Sequence, residues 1–176
     1  MLFRSMQHQV LRRALSSAMS PLVIIAGIGC NGSASNMLNL PMGVFVTASL
    51  DLYVADWGND RVQLFRSGEL YATTIAGTGA NGTISLNDPK GVVLDGDGYL
   101  FIVDSGNNRI VGSDRHGFRC MVGCSGGSGS ASDGLNNPHT LSFDSNGNMF
   151  VTDRGNDRIQ MFRLSSNLCS KLCHAL

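Results

Sequence analysis

Short apolar runs separated by polar, glycine-rich punctuation fill most of this chain. Between residues 38 and 162 the runs come in a fixed order: "GVFVT", "LYVAD" and "RVQLF", then "GVVLD", "LFIVD" and "RIVGS", then "TLSFD", "MFVTD" and "RIQMF". Runs this short, bounded by Gly, Asp, Asn or Pro, predict strands rather than helices. They are mostly apolar without clean alternation, so the sheets they form should be covered on both faces.

The punctuation repeats as well. "LNLP" (38–41), "LNDP" (86–89) and "LNNP" (135–138) are separated by 48 and 49 residues, and "DWGNDR" (56–61), "DSGNNR" (104–109) and "DRGNDR" (153–158) keep the same spacings. Each unit predicts four strands. The first starts after the proline, which lacks a backbone donor and is tolerated there. The second ends at the recurring Asp, the third begins at the recurring Arg, and "LYATTIAG" or "FRCMVG" supplies the fourth. Four-stranded antiparallel units of this length, stacked side by side, describe propeller blades.

The ends follow from the same register. "VIIAGIGCNG" (23–32) parallels "TTIAGTGANG" (73–82), which makes it the fourth strand of a preceding blade. "LFRS" at 2–5 matches "LFRS" at 64–67, with extra residues before the next match, so residues 1–20 are expected to be an irregular or helical insertion. The predicted division is therefore an N-terminal segment 1–20 and a propeller 21–176. The propeller comprises a blade remnant 21–37 and blades 38–85, 86–134 and 135–176, the last closed by a degenerate fourth strand, "NLCSKLC".

These segments resemble NHL repeats, whose pattern runs P-x-G-I, then an apolar strand ending in Asp, then S-G-N-x-R-I, as in "FIVDSGNNRI". The match covers residues 38–162 closely and 21–37 and 163–176 loosely. The resemblance implies a β-propeller, commonly six-bladed, that binds proteins, RNA or other ligands on one rim; a few relatives are enzymes. The expected fold class is thus all-β: a partial β-propeller of three four-stranded antiparallel blades plus the outer strand of a preceding blade.

A catalytic centre is needed once, whereas the Asp-x-Gly-Asn-x-Arg motif occurs three times, so its residues are assigned to structure. They are Asp56, Gly58, Asn59 and Arg61, then Asp104, Gly106, Asn107 and Arg109, then Asp153, Gly155, Asn156 and Arg158. The Asp is expected to accept N–H bonds from its own turn, Gly58 and Asn59 to take up positive φ, and Arg61 to bridge the Asp or nearby carbonyls. Function in such a fold is carried by loops. The candidate binding positions are those that vary inside the repeat: Trp57, Ser105 and Arg154 in the hairpins, and Met42, Lys90 and His139 after the prolines, near the mouth of the central channel.

Composition narrows the function further. Thirteen basic residues balance thirteen acidic ones, and from Asp51 onward ten basic residues face thirteen acidic ones. A phosphate-binding surface needs clustered positive charge, so RNA is the alternative partner rather than the first. His8 and His174 fall in the ends, His116 lies on the opposite rim, and only His139 approaches the channel. The family's lyases hold zinc with several channel histidines, a set this chain lacks, so neither metal nor cofactor is expected. Cys120/Cys124 and Cys169/Cys173 recur at the repeat period and read as small apolar residues of an outer strand, with metal binding as the alternative. "NGS" (31–33) and "NGT" (81–83) are glycosylation sequons, meaningful only in a secreted chain.

No run is long enough for a membrane span. Five cysteines, an odd number, weigh against a disulfide-stapled secreted domain and favour the cytoplasm, although the Arg- and Ser-rich start also resembles a mitochondrial presequence. Three blades leave apolar faces uncovered, on the order of 400 Å² and ~10 kcal/mol at ~25 cal/mol per Å². The expectation is a fragment of a longer NHL-repeat protein, the alternative a homodimer that closes a six-bladed ring. The sequence thus predicts a non-catalytic module that docks a protein partner on the propeller rim. Its alternatives are an RNA-binding propeller, or a metal-dependent lyase or hydrolase completed by other blades. In the tripartite-motif ubiquitin ligases the NHL propeller recruits substrate, but no RING or B-box cysteine pattern occurs here.

Overall fold

The structure, a computed structural model, describes residues 2–14 and 20–163. Fourteen strands form four antiparallel sheets with strictly sequential order. The first sheet holds β1 (Leu2–Met6), β2 (Gln9–Arg13) and β3 (Val23–Ala26). The second holds β4 (Pro41–Val46), β5 (Leu52–Asp56), β6 (Arg61–Phe65) and β7 (Thr73–Gly77). The third holds β8 (Pro89–Leu94), β9 (Leu100–Asp104), β10 (Arg109–Asp114) and β11 (Gly117–Val122). The fourth holds β12 (Leu141–Phe143), β13 (Asn148–Asp153) and β14 (Arg158–Arg163). This is a partial β-propeller.

The sheets stack face on face through three apolar layers. Val10, Leu38, Val54 and Phe65 join the first sheet to the second; Val62, Leu86, Ile102 and Val111 join the second to the third. Phe101, Ile110, Leu135 and Met149 join the third to the fourth, where the Phe101 ring meets Phe143 edge-on at 4.9 Å. Each layer draws alternate residues from adjacent sheets, which explains the near-continuous apolar runs: both faces of the middle sheets are covered. Ile159 in β14 is 71% exposed, whereas Val62 and Ile110 at the same place in the repeat are fully buried.

The preceding blade contributes more than its outer strand. That strand is present as β3, within 21–37, and residues 1–20 carry β1 and β2 rather than an irregular or helical insertion. The "LFRS" match misplaced this segment by one strand. Val10 pairs with Ala26 as Val62 pairs with Ala76, so β2 is equivalent to β6 and β1 to β5. In place of the six-residue motif, Gln7 and His8 make a two-residue turn with φ of 48° and 61°, the geometry a tight hairpin favours. With four sheets in one chain, two copies would supply eight rather than six. The "NLCSKLC" segment, with Cys169 and Cys173, lies outside the described residues. Cys120 and Cys124, expected as unlinked apolar residues, form a disulfide.

Candidate functional site

The repeated motif is a latch built around a buried carboxylate. Asp56, Asp104 and Asp153 have no exposed surface. Oδ2 of Asp56 accepts Nε–H of Arg61 at 2.7 Å and Nδ2–H of Asn59 at 2.8 Å. Oδ1 accepts the backbone N–H of Asn39 at 2.6 Å. The same three bonds recur at Asp104, from Arg109, Asn107 and Asn87, and at Asp153, from Arg158, Asn156 and Asn136. The remaining guanidinium donors grip the loop before the proline: Arg61 bonds the carbonyls of Ser33, Ala34 and Met37, and Arg158 those of Ser130, Ala131 and Gly134.

Two expectations about this motif need correction. The carboxylate does not cap the backbone of its own turn, a short 3-10 stretch over Trp57–Asn59: the turn supplies only the Asn59 side-chain donor, and the backbone donor comes from 17 residues earlier. Nor do Gly58 and Asn59 take positive φ; that role belongs to Asp60, Asn108 and Asp157, one place further on. The glycine is needed for close approach instead. A Cβ on Gly58 would lie 2.6 Å from Nδ2 and 3.0 Å from the carbonyl of Asn39, whose chain passes over it and accepts the Gly58 N–H at 2.9 Å.

The positive-φ residue has its own task. Oδ1 of Asp60 accepts the N–H of Asp88 at 2.8 Å, and Oδ1 of Asn108 accepts that of Asn137 at 2.8 Å. In the first sheet Nδ1 of His8 does the same for Leu40 at 3.1 Å. Leu40, Asp88 and Asn137 directly precede the prolines and have φ near 50° (49°, 52° and 47°), a region costly for most side chains and more so before proline. The latch holds this corner in place.

The candidate binding residues divide. Pairing slips between Pro41 and Val44 and between Pro89 and Gly91, which leaves Met42 and Lys90 at bulges, features that redirect a side chain. First strands of successive sheets then touch: a Cβ on Gly43 would strike the Lys90 carbonyl, and one on Gly91 would lie 3.3 Å from that of His139. Lys90 Nζ donates to Oδ1 of Asn137 at 2.7 Å, and Ser105 Oγ donates to the same oxygen at 3.0 Å. Ser105 is buried and holds Asn137 rather than facing a ligand. Arg154 and Met42 are exposed. Trp57 occupies the place of Ser105 one sheet earlier, and its Nε1–H is buried without an acceptor among the described residues.

Lys90, His139 and Arg154 form one electropositive group. Burial lowers the Lys90 ammonium below its ordinary value and Arg154 lowers it further, against the opposing pull of Asp88. Burial likewise lowers His139, with Lys90 and Arg154 adding repulsion. Neither Lys90 nor Arg154 has a carboxylate in ion-pair contact among the described residues. Asn137 is the residue the sequence reading missed. Its signal was available: an Asn or Asp before proline in two of three repeats suits the left-handed region.

The described residues contain no group of three His, Cys, Asp or Glu side chains arranged to hold a metal, and no helix long and apolar enough to cross a membrane. A cavity of about 50 Å³ lies between the first two sheets, lined by Arg12, Leu52, Phe65 and Ser67, away from the candidate residues.

Comparison with known proteins agrees with this architecture. The NHL repeat family pattern matches residues 135–162, and no curated protein matches the sequence. Among solved structures, a Bacteroides thetaiotaomicron protein of unknown function superimposes with a TM-score of 0.70 at 15% identity, over 88% of this chain and 42% of that one. The virginiamycin B lyase of Staphylococcus aureus, solved with quinupristin, gives 0.57 at 10% identity over 90% and 49%. A nidogen/laminin complex gives 0.59 at 16% identity over 93% and 61%. The chain therefore spans less than two thirds of each of these proteins, and the likeness is one of fold. With the motif in three registers, the latch geometry and the likeness to solved propellers in agreement, the chain is a partial β-propeller that carries an NHL repeat at residues 135–162.

Proposed function

We propose that the chain is a non-catalytic binding module whose protein partner docks on the rim formed by the 57–60, 105–108 and 154–157 hairpins and the corners before the prolines. The observation that carries this reading is the division of labour within the repeat. Every motif carboxylate is spent on a latch, whereas Trp57, Met42, Lys90, His139 and Arg154 take no part in one, and neither Lys90 nor Arg154 has a carboxylate in ion-pair contact among the described residues. Trp and Arg are the side chains enriched where interfaces concentrate their energy.

The cavity of about 50 Å³ between the first two sheets is far below the roughly 300–1,000 Å³ usual for a ligand pocket. The nidogen/laminin structure supplies a precedent for a protein complex in a chain of this fold.

A random-peptide display library selected on the 176-residue chain tests the reading. Selected peptides should lose at least tenfold in affinity on Trp57→Ala with Arg154→Ala, and nothing on His116→Ala, which lies on the opposite rim. Peptides that ignore the first pair and respond to the second would place the interface elsewhere and end the proposal.

A further inference from the structure

We infer that Lys90, His139 and Arg154, ordered around Asn137, form a receptor for a carboxylate side chain, so that the partner presents an acidic residue at the channel mouth. The inference rests on the rim-docking reading and specifies its chemistry.

Three observations converge. The first is geometric. Lys90 stands on β8 and His139 two residues before β12; the two segments approach at Gly91, and the His139 backbone N–H donates to the Thr152 carbonyl at 2.9 Å. Thr152 is two residues before Arg154, so the same strand end sets Arg154 against this pair.

The second is preorganisation. Lys90 would be a flexible ammonium, but Asn137 Oδ1 fixes it at 2.7 Å, and that oxygen is steadied by buried Ser105. Asn137 is itself pinned through its N–H to Asn108. A charge held in place before binding loses less entropy on binding. The free capacity of the group is in donors: two on Lys90, the Arg154 fork and the His139 ring.

The third is charge balance. Asp88 offsets part of the charge at Lys90, and no carboxylate among the described residues is in ion-pair contact with Arg154. Arriving negative charge would relieve the mutual repulsion among the three groups, which is felt at both Lys90 and His139. The surroundings argue for a compact anion rather than a polymer of phosphates. The chain from Asp51 onward carries ten basic and thirteen acidic residues, and the same rim holds Asp60, Asp88 and Asp157. A long polyanion would be repelled along that rim, whereas one carboxylate from a peptide would reach the cationic centre alone.

The test uses the whole chain and three labelled probes: a Gly-Gly-Glu-Gly-Gly amide, the matching Gly-Gly-Gln-Gly-Gly amide, and a 12-nucleotide oligouridine RNA. Fluorescence anisotropy at low salt should show the glutamate peptide binding at least tenfold tighter than the glutamine peptide. That preference should fall at least fivefold in Lys90→Met and in Arg154→Gln, and stay unchanged in Arg66→Gln on the opposite rim. Arg154 is exposed, so its variant keeps the fold even if Lys90→Met weakens it. The histidine ring signals should report a raised His139 pKa when the glutamate peptide is bound. Tighter binding of the RNA, equal binding of the two peptides, no measurable binding, or indifference to both charge-removing variants would each overturn the inference. Equal peptide binding that still depends on Trp57 would leave the docking surface standing and remove only its acidic specificity.

Discussion

The Asp60 carboxylate accepts the backbone N–H of Asp88 at 2.8 Å, so the hairpin of one sheet holds the corner from which the next sheet starts. Asn108 does this for Asn137, and His8 for Leu40 through a ring nitrogen. Stacking is thus set by a polar peg at each junction as well as by the apolar layers. Asp157 has the same backbone conformation, with φ of 51°.

Asp60→Asn should be nearly neutral, because asparagine fills this place at 108 and tolerates the left-handed region. Asp60→Ala removes the acceptor and strains the backbone. It should cost about 2–3 kcal/mol from the lost bond and the left-handed alanine. Urea unfolding of the two variants separates the predictions, and equal midpoints would deny the peg any role.

The latch itself should tolerate less. Asp56→Ala leaves the Arg61 charge buried without its counter-ion and strands the Asn39 N–H. Breaking a buried pair in this way costs about 3–5 kcal/mol, a large part of the ~5–15 kcal/mol available to a domain. Arg61→Lys keeps the charge but loses the fork that reaches three carbonyls. It should cost about 1–3 kcal/mol by thermal unfolding. If both variants melt with the parent, the motif is not the structural element described above.

Gly58→Ala should destabilise by about 1–3 kcal/mol through overpacking, since the new methyl meets Asn39 backbone and side chain together. Gly68→Ala probes a different constraint: nothing lies within 4 Å, but φ is 83°. Pairing the two measurements distinguishes crowding from backbone conformation, and an unaffected Gly58→Ala variant would refute the close approach.

Two groups predict how stability follows pH. At Asp153 burial opposes ionisation, but bonds from Asn156, the Asn136 N–H and Arg158 prevail and lower its pKa below 3.8. Its contribution is present above the unfolded value and lost as pH falls through the folded one, so it weakens in acid below about pH 4. His139 is a base with a lowered pKa, through burial and then Lys90 and Arg154. Between its folded value and 6.5 the unfolded chain binds more protons, so stability should fall as pH drops below 6.5. His139→Gln should flatten that limb and leave the acid limb intact. An unchanged slope between pH 7 and 5 would contradict the assignment.

The repeat made the architecture legible in advance, because each blade must bury the same faces and turn the same corners. Leu38, Leu86 and Leu135 are buried alike, and three arginines reach three aspartates alike. The first sheet was misread where the pattern is broken: Gln7 and His8 turn in two residues, and Arg12 and Arg13 occupy places that hold Leu64 and Phe65 in the second sheet. The close approach of Gly58 to Asn39 was not legible either, since the partner lies 19 residues away and a glycine signals freedom and crowding equally. At the site, variation within the repeat pointed to Lys90, His139 and Arg154. It also pointed to Ser105, which proved to be support for Asn137.

A saturation mutagenesis scan of the chain, read once for folding and once for capture of the selected peptides, tests the central claim most directly. The account predicts that Asp56, Arg61, Asp104, Arg109, Asp153 and Arg158 lose both readouts together. Trp57, Lys90, His139 and Arg154 should lose capture while folding holds. Capture that survives at all four of those positions would contradict it.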